Sequence, residues 1–390
     1  MTTATRPTIP AARHADRLER AMAATAAHGL DALLVGVGPD LDYLTGYRAM
    51  PLERLTMLAI TPADGGVRLV VPRLEEPAAR VGCRAEVEIV TWEETDDPHG
   101  VVAGFVHGAA GAPAGDRRIE VAVSDRLMAM HLLPLQERLS DARFTSARLV
   151  LRELRIRKDE DEIELLRLAG AAADRVVAQI AAGRLVGRTE VDVAAEVRER
   201  LIAEGHERAD FGIVASGPNS ASPHHEASDR VIQAGEPIVL DIGGVLGGYG
   251  SDTTRTLWVT GGDEAKGPDE AYRHLFGVLH AAQQAASAAA RPGVPAESID
   301  RAARDIIDGE GYAANFFHRT GHGIGLEGHE DPYLVAGNAE RLGEGMAFSI
   351  EPGIYLPGRY GARIEDIVVC GPDGPIVLNN EPRELRVVSG

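Results

Sequence analysis

Two aspartates flank a run of glycines in the segment VLDIGGVLGGYGSDTTRT, which covers residues 239–256. Apolar residues before the glycines and β-branched residues after them predict a hairpin. A loop centred between Leu246 and Gly247 places Asp241 directly opposite Asp252, and a loop shifted by one residue on each side leaves them diagonal but on one face. Because burying unpaired carboxylates side by side is costly, this pattern indicates either a bound cation or two exposed turn residues.

Two glutamates form a similar pattern in AFSIEPGIYLPGRYGARIEDIVV, residues 347–369. Glu351 is expected at the end of one strand and Glu365 within another. A loop centred on Gly358 brings both side chains to the same face. The segment therefore predicts a second hairpin that carries paired carboxylates.

A Gly-rich segment, HRTGHGIGLEGHE (residues 318–330), lies between the two hairpins and carries His318, His322 and His329. Glycine permits an unusual backbone path, and imidazole is the preferred nitrogen ligand for borderline divalent metals. A lone histidine among glycines is usually a structural loop residue. The two carboxylate hairpins on either side favour a metal site instead.

The number of candidate ligands indicates how many ions they hold. Four carboxylates and an imidazole exceed the needs of one ion, whereas two ions about 3.5–4 Å apart use all five, with one or two carboxylates bridging them. Oxygen ligands dominate and no thiolate takes part. The set therefore favours Mn²⁺, Co²⁺ or Zn²⁺, without a choice among the three.

The elements that position these residues form an α+β domain. The segment LRELRIRKDEDEIELLRLAGAAADRVVAQIAAG begins a strongly patterned helix near residue 150, where we place a domain boundary. The resulting domains are 1–150 and 151–390. Further elements are predicted as helices at 187–204, 268–290 and 296–310 and as strands at 237–259 and 345–370.

The first domain is predicted to be mixed α/β. A short tail leads into a helix at 15–28, which precedes the buried strand GLDALLVGV (29–37). Two strands around an Asp-Gly-Gly turn follow in 55–72. The later elements are strands at 85–92 and 119–125 and a surface loop, GAAGAPAGDRR, at 108–118.

Composition narrows the class of protein. The 390-residue chain has a net charge of −19, which argues against nucleic acid as a partner. No apolar run is long enough to span a membrane, and the first residues do not resemble a secretory signal. Its two cysteines have no CxxC spacing, so we expect a reducing compartment and a cytoplasmic location.

The local contexts of the candidate ligands resemble those of the pita-bread metallopeptidases, and most closely the Xaa-Pro aminopeptidase and prolidase branch. The contexts are LDIGG, SDTTRT, TGHGIG, SIEPGIY and RIEDIV, in that order along the chain. The segment before residue 150 resembles the creatinase-type N-terminal domain, most clearly in DLDYLTGY (40–47). The resemblance implies a creatinase-like α/β domain followed by an α+β pita-bread catalytic domain.

The resemblance also implies a role for each candidate ligand. Asp241 binds one metal, Asp252 and Glu365 bridge two, and His322 and Glu351 complete the second. A metal-bridging hydroxide is the nucleophile in this family, because two Lewis-acidic ions lower the pKa of water towards neutrality. Glu351 is the expected proton shuttle.

Three further residues match family positions that do not bind metal. His224, in SGPNSASPHHEASD, and His329, in GLEGHE, are expected to face the substrate carbonyl and the developing oxyanion. His225 adjoins His224 and is the alternative for that position. Arg363, two residues before Glu365, is expected to support the metal ligands, and a surface arginine is the alternative.

Cleavage before a proline at the second position is the implied reaction, on short proline-containing peptides. Proline lacks an N–H and has a fixed φ, so it requires a dedicated pocket. A dipeptidase also needs a cation for the substrate carboxylate. Some prolidases use an arginine four residues after the histidine of the HE pair, where this chain has Tyr333. That departure favours an Xaa-Pro aminopeptidase over the alternative, an Xaa-Pro dipeptidase (prolidase).

Other hypotheses fit less well. Creatinase-like hydrolases and non-catalytic binding proteins of this fold lack the intact ligand set, and calcium sites seldom use histidine.

Creatinase-type N-terminal domains commonly form dimers, so the resemblance implies a homodimer. The loop YRAMPLERL (47–55) is our candidate for a segment that borders the partner's active site, and an ordinary surface loop is the alternative.

Overall fold

The computed structural model describes residues 8–111 and 117–390. These residues divide into two compact units, Ile9–Arg155 and Ile156–Gly390. Residues 1–7 of the predicted tail and positions 112–116 of the predicted loop lie outside the described residues. Positions 108–110 of that loop belong to a helix.

The first unit is built on one six-stranded mixed sheet with the strand order β4-β3-β2-β1-β5-β6. Its central strand β1 is buried at every position, as its apolar run predicts. The predicted turn between β2 and β3 is held by Asp64, which accepts hydrogen bonds from Thr61 and the Gly66 amide. The helices are α1 (Ala11–Ala27), α2 (Pro39–Thr45), α3 (Glu76–Gly82), α4 (Pro98–Ala110), α5 (Ala129–Arg138) and α6 (Arg148–Arg155), and the strands are β1 (Ala32–Gly36), β2 (Met57–Thr61), β3 (Gly66–Pro72), β4 (Glu88–Trp92), β5 (Ile119–Val123) and β6 (Ala142–Ser146).

The second unit contains four helices and three sheets within its described residues. Its sheets have the strand orders β17-β9-β8-β7, β11-β10-β12-β15-β16 and β13-β14. The helices are α7 (Glu160–Ala181), α8 (Glu190–Ala203), α9 (Glu270–Ala289) and α10 (Ala296–Gly309), and the strands are β7 (Arg208–Ser216), β8 (Glu236–Leu246), β9 (Tyr249–Val259), β10 (Gly321–Gly323), β11 (Glu330–Leu334), β12 (Ala347–Ile350), β13 (Gly353–Leu356), β14 (Tyr360–Arg363), β15 (Asp366–Gly371), β16 (Gly374–Val377) and β17 (Arg386–Val388). The predicted fold class, α/β followed by α+β, is confirmed.

The single helix predicted from about residue 150 is in fact two helices, α6 and α7. Asp159 accepts a hydrogen bond from the Glu162 amide, and the Glu162 side chain accepts one from the Asp159 amide. This capping box starts α7 at Glu160, so the helical pattern is interrupted before it.

Two large hydrophobic cores among the described residues pack against the sheets of the second unit. One contains apolar side chains of α7 and α8 packed against β8, among them Val177, Val197 and Leu240, all fully buried. The other contains α9 and α10 packed against the sheet of β12 and β15, with Phe348 and Val368 fully buried. The two carboxylate hairpins are therefore anchored on rigid, packed elements.

The first carboxylate hairpin is β8 and β9, joined by Gly247 and Gly248. Both glycines have positive φ, +61° and +92°, as a two-residue type I′ turn requires. Asp241 pairs with Thr254 and Gly243 with Asp252. The directly opposed register is therefore wrong and the shifted one is right, because the turn is centred one residue later.

The second hairpin keeps one register through two sheets. Ile350 pairs with Asp366 in β12 and β15, and Gly353 pairs with Arg363 in β13 and β14. Glu351 and Glu365 occupy the break between these two pairs of strands. Glu365 was expected inside a strand, but it lies between β14 and β15 in an isolated bridge to Thr254, which brings this hairpin against β9.

Candidate metal centre

The five predicted ligands come together where the two hairpins and β10 meet. One ligand atom each from Asp241, Asp252 and Glu365 lies within 4.8 Å of the others, and the same holds for His322, Glu351 and Glu365. His322 Nε2 lies 3.2 Å from Glu351 Oε1 and 3.7 Å from Asp252 Oδ2. Elements far apart in sequence thus supply one compact cluster.

Burial concentrates negative charge in this cluster. Burial and the neighbouring Asp241 charge raise the pKa of Asp252 well above its ordinary value. Burial and the Asp252 charge do the same to the pKa of Glu365. Burial also raises the pKa of Asp241, although Arg363 opposes the rise. Ionising these buried carboxylates is unfavourable unless a positive charge lies beside them, so the cluster favours binding of a cation.

Glu351 and His322 form a distinct pair within the cluster. Burial opposes ionisation of Glu351, but the hydrogen bond and charge of His322 lower its pKa to about 2. Burial also opposes protonation of His322, and the same hydrogen bond raises its pKa. His322 Nδ1 lies 3.1 Å from the Gly323 carbonyl, which can only accept, so Nδ1 carries a proton and Nε2 faces the carboxylates.

Neighbouring side chains hold the carboxylates in place. Arg363 is buried and donates through Nη2 to Asp241 Oδ2 at 2.6 Å, through Nη1 to the Tyr355 hydroxyl and through Nε to Thr254. Thr254 donates to Glu365 Oε2 at 2.7 Å. The surface location considered for Arg363 is therefore wrong, because this side chain is 3% exposed and forms an ion pair with the predicted ligand Asp241.

The donor set fits divalent cations. Asp241 Oδ1 is one of the few buried side-chain atoms among the described residues that has no hydrogen-bond partner. An orphaned carboxylate oxygen is costly unless it coordinates an ion. Together with the carboxylate and imidazole donors and the lack of a thiolate, it matches a hard or borderline divalent metal.

The histidines outside the ligand set occupy different positions. The ring of His329 lies 3.7 Å from that of His322, centroid to centroid, and its Nδ1 accepts a hydrogen bond from Arg319 at 2.9 Å. Burial and the nearby charges of His322 and Arg319 lower the pKa of His329 to about 4. The charge of His224 adds to this effect, so this exposed side chain is near enough to influence His329.

His225 and His318 have other partners. His225 Nε2 lies 2.8 Å from Glu190 Oε2, and His318 contacts the Tyr355 hydroxyl at 3.0 Å. The bond to Glu190 leaves His224 as the better of the two adjacent histidines for a substrate-facing role.

Sequence reasoning missed two residues beside the site. Glu190 accepts hydrogen bonds from Ser216, Asn219, His225 and Ser228, which fastens the segment that carries His224. Arg319 lies with its guanidinium carbon 4.6 Å from the ring centroid of Tyr333. The N-cap Thr189 signals a helix start beside Glu190, but no local pattern signals its partners. For Arg319, the available signal in the sequence was a positive charge three residues before His322.

Comparison with known proteins identifies the family. A model described as Metallopeptidase family M24 matches residues 164–372, and one described as Creatinase/Prolidase N-terminal domain matches residues 17–157. The chain belongs to metallopeptidase family M24 and is therefore a hydrolase, which confirms the resemblance seen in the sequence.

Individual relatives cover nearly the whole chain. It is 48% identical over 378 residues to Probable dipeptidase PepE of Mycobacterium tuberculosis, covering 96% of both proteins. It is 34% identical over 352 residues to the Xaa-Pro dipeptidase of Lactobacillus helveticus, covering 89% of this chain and 92% of that one. The crystal structure of dipeptidase PepE from Mycobacterium ulcerans matches with a TM-score of 0.88 and 46% identity over 98% of this chain and 99% of that chain.

The helices of the described residues were also compared with the requirements of a membrane span. None of them is both long enough and apolar enough to cross a bilayer.

Proposed function

We propose that this protein is an Xaa-Pro dipeptidase that acts with two divalent cations. The observation that carries the proposal is the convergence of four carboxylates and His322 in one buried cluster. Relatives named dipeptidase support the dipeptidase alternative over the aminopeptidase that Tyr333 favoured, because they match nearly the full length of the chain.

Each ligand has a proposed place. Asp241 would hold one cation, His322 and Glu351 would hold the other, and Asp252 and Glu365 would contribute to both. When bound, the cations supply Lewis acidity that polarises the scissile carbonyl and lowers the pKa of water towards neutrality. Mn²⁺, Co²⁺ and Zn²⁺ suit these donors.

The side chains of the protein carry the proton and the developing charge. Glu351 accepts the proton of the attacking water at a carboxylate oxygen and delivers it to the prolyl nitrogen as that bond breaks. Arg319 can only donate to Nδ1 of His329, so the proton of that imidazole is on Nε2. His329 and His224 donate to the carbonyl oxygen as it gains negative charge.

The proposed setting of this chemistry is a homodimer in the cytoplasm. The loop 47–55 is exposed at Met50 and Leu52, which provides apolar surface for a second copy of the chain.

A kinetic comparison tests the proposed activity. Xaa-Pro dipeptides and Xaa-Pro-Xaa tripeptides are assayed with Mn²⁺, Co²⁺ and Zn²⁺, before and after chelation. We expect faster hydrolysis of the dipeptides and loss of activity on chelation. A preference for tripeptides would instead identify an aminopeptidase, and full activity of metal-free protein would favour a creatinase-like mechanism.

A further inference from the structure

Arg319 is a cation beside the cluster of predicted ligands, and the proposed chemistry uses it only through its hydrogen bond to His329. Its guanidinium lies over the ring of Tyr333, with Cζ 4.6 Å from the ring centroid, and Nη2 donates to His329 Nδ1 at 2.9 Å. Stacking on an aromatic ring fixes the plane of a guanidinium while leaving its N–H groups available.

Most N–H donors of the Arg319 guanidinium have no hydrogen-bond partner among the described residues. A guanidinium has five N–H donors, and only the one directed at His329 has a hydrogen-bond partner among the described residues. Within the same residues, no carboxylate forms an ion pair with Arg319. In a chain with a net charge of −19, an arginine left without an acidic partner is available for an anionic ligand.

The position of Arg319 suits the anion that a dipeptide brings. Its guanidinium is separated from His322 by a single imidazole, that of His329, whose ring lies 3.7 Å from the His322 ring. In an Xaa-Pro dipeptide the free carboxylate belongs to the residue that follows the scissile bond, and adjacent residues are spaced about 3.8 Å apart. If the scissile carbonyl of the substrate lies beside His329, the free carboxylate lies one residue further along the substrate, in the region of Arg319.

We propose that Arg319 determines specificity for dipeptides by binding the free carboxylate of the substrate's C-terminal proline. The inference rests on the proposed dipeptidase function. It accounts for a dipeptidase with Tyr333 where some prolidases have arginine, because Tyr333 serves as the platform on which Arg319 stacks. A guanidinium held in this way loses little freedom when it binds the carboxylate through two parallel hydrogen bonds.

The test compares one peptide with and without its negative charge. Ala-Pro and Ala-Pro-amide are assayed with the wild type, Arg319→Gln and Arg319→Lys, all loaded with the same metal. Glutamine removes the charge and the fork, and its shorter side chain also weakens the contact with His329, so a loss shared by both substrates measures that contact. Arg359→Ala is the matched control, since Arg359 also stacks on a tyrosine, Tyr360, but lies exposed on the turn between β13 and β14.

We expect the wild type to prefer Ala-Pro over the amide by about 100-fold in kcat/KM, which is the order of a charge-assisted bidentate contact. Arg319→Gln should lose about 100-fold more activity on Ala-Pro than on the amide, so the preference disappears. Arg319→Lys should retain part of the preference, and Arg359→Ala should retain all of it. Calorimetry should show proline binding to the wild type and weaker binding to Arg319→Gln.

Three results would overturn the inference in distinguishable ways. Equal losses on both substrates would make Arg319 a positioning residue for His329. Equal kcat/KM values of the wild type for Ala-Pro and Ala-Pro-amide would show that no cation binds the substrate carboxylate. Hydrolysis of neither substrate by the wild type would overturn the proposed function, and this inference with it. Melting curves of both Arg319 variants identify losses that come from misfolding.

Discussion

Burial of Asp252, a proposed metal ligand, lowers the stability of the metal-free fold. Its folded-state pKa is raised by burial and by Asp241, well above the ordinary value near 4. Below the ordinary pKa the carboxyl is protonated in both states, so it costs nothing. As the pH rises towards the raised pKa, the unfolded chain ionises first, and the metal-free protein loses stability.

Asp252→Asn is therefore expected to change metal binding and stability in opposite directions. The amide cannot ionise, so the metal-free variant should be about 1–2 kcal/mol more stable than metal-free wild type at pH 7. Metal content should fall because a shared ligand is lost. Denaturant unfolding and elemental analysis measure the two effects, and Asp305→Asn, on the exposed side of α10, is the control. A variant less stable than the metal-free wild type, or one that keeps its full metal content, would contradict the argument.

The residues differ in how far the sequence could predict them. The clustering of the five candidate ligands could be predicted because Asp, Glu and His in hairpins and Gly-rich turns combine a rare residue pattern with a definite chemistry. Arg319 and Glu190 were not, because their importance depends on contacts with Tyr333 and Ser216 that no local spacing encodes. The choice of His224 over His225 is now supported by the contact between His225 and Glu190.

At the scale of elements, Glu190 connects the first turn of α8 to the segment 216–228. It is fully buried and accepts hydrogen bonds from backbone and side-chain donors of that segment. Burial opposes its ionisation, but the hydrogen bonds from Ser228, Ser216 and His225 lower the pKa of Glu190 to about 2. Because His224 lies on this segment, Glu190 holds in place the segment that carries the histidine proposed to face the substrate.

Replacing Glu190 should therefore loosen the segment in a pH-dependent way. The folded pKa lies below the unfolded value, so the stabilisation is complete above about pH 4.5 and is lost as the pH falls towards 2. Glu190→Gln is expected to cost about 2 kcal/mol at pH 7 and progressively less in acid.

Urea unfolding between pH 3 and pH 7 measures this difference. Glu199→Gln, on the exposed face of the same helix, should match the wild type throughout. A constant difference between the Glu190 variant and the wild type over this range would count against a charged, hydrogen-bonded Glu190.

The hairpins show where element-level prediction succeeds and where it fails. The apolar and β-branched runs that flank the glycines predicted β8 and β9, but the register depended on which two residues form the turn. Leu246 pairs with Tyr249, so Gly247 and Gly248 occupy the two positions that need positive φ. A one-residue error in the turn centre changed which residue pairs with Asp241. The two aspartates remained on one face of the sheet because side chains alternate between the faces along each strand.

At the scale of the whole molecule, the helices and most strands could be predicted from apolar periodicity. The order of the strands within the sheets could not. The bridge between Thr254 and Glu365 brings together positions over a hundred residues apart, and nothing near either residue specifies the partner. Long-range pairing of this kind is set by the packing of the entire unit.

The proposed homodimer gives one prediction at this scale. If the loop 47–55 closes the active site of the partner, introducing charge at its apolar positions should open that site to longer peptides. Met50→Asp combined with Leu52→Asp is expected to raise hydrolysis of Xaa-Pro-Xaa relative to Xaa-Pro, with the mass in solution followed by light scattering. Leu133→Asp, at another exposed apolar position, is the control. A monomeric wild type, or an unchanged length preference, would contradict the proposal.

Metal binding should control the stability of the molecule as a whole, because the ligands come together only when both hairpins and β10 are folded. A ligand that binds only the folded state at about 1,000 times its dissociation constant adds about 4 kcal/mol. For a chain of this size, that increment should raise the apparent Tm by about 5 °C. Scanning calorimetry of chelated protein, with Mn²⁺, Co²⁺ or Zn²⁺ added back, measures the shift, and Asp252→Asn should lose most of it while Glu199→Gln keeps it. Equal melting temperatures for chelated and metal-loaded wild type would mean that the cluster does not bind these ions in the folded protein.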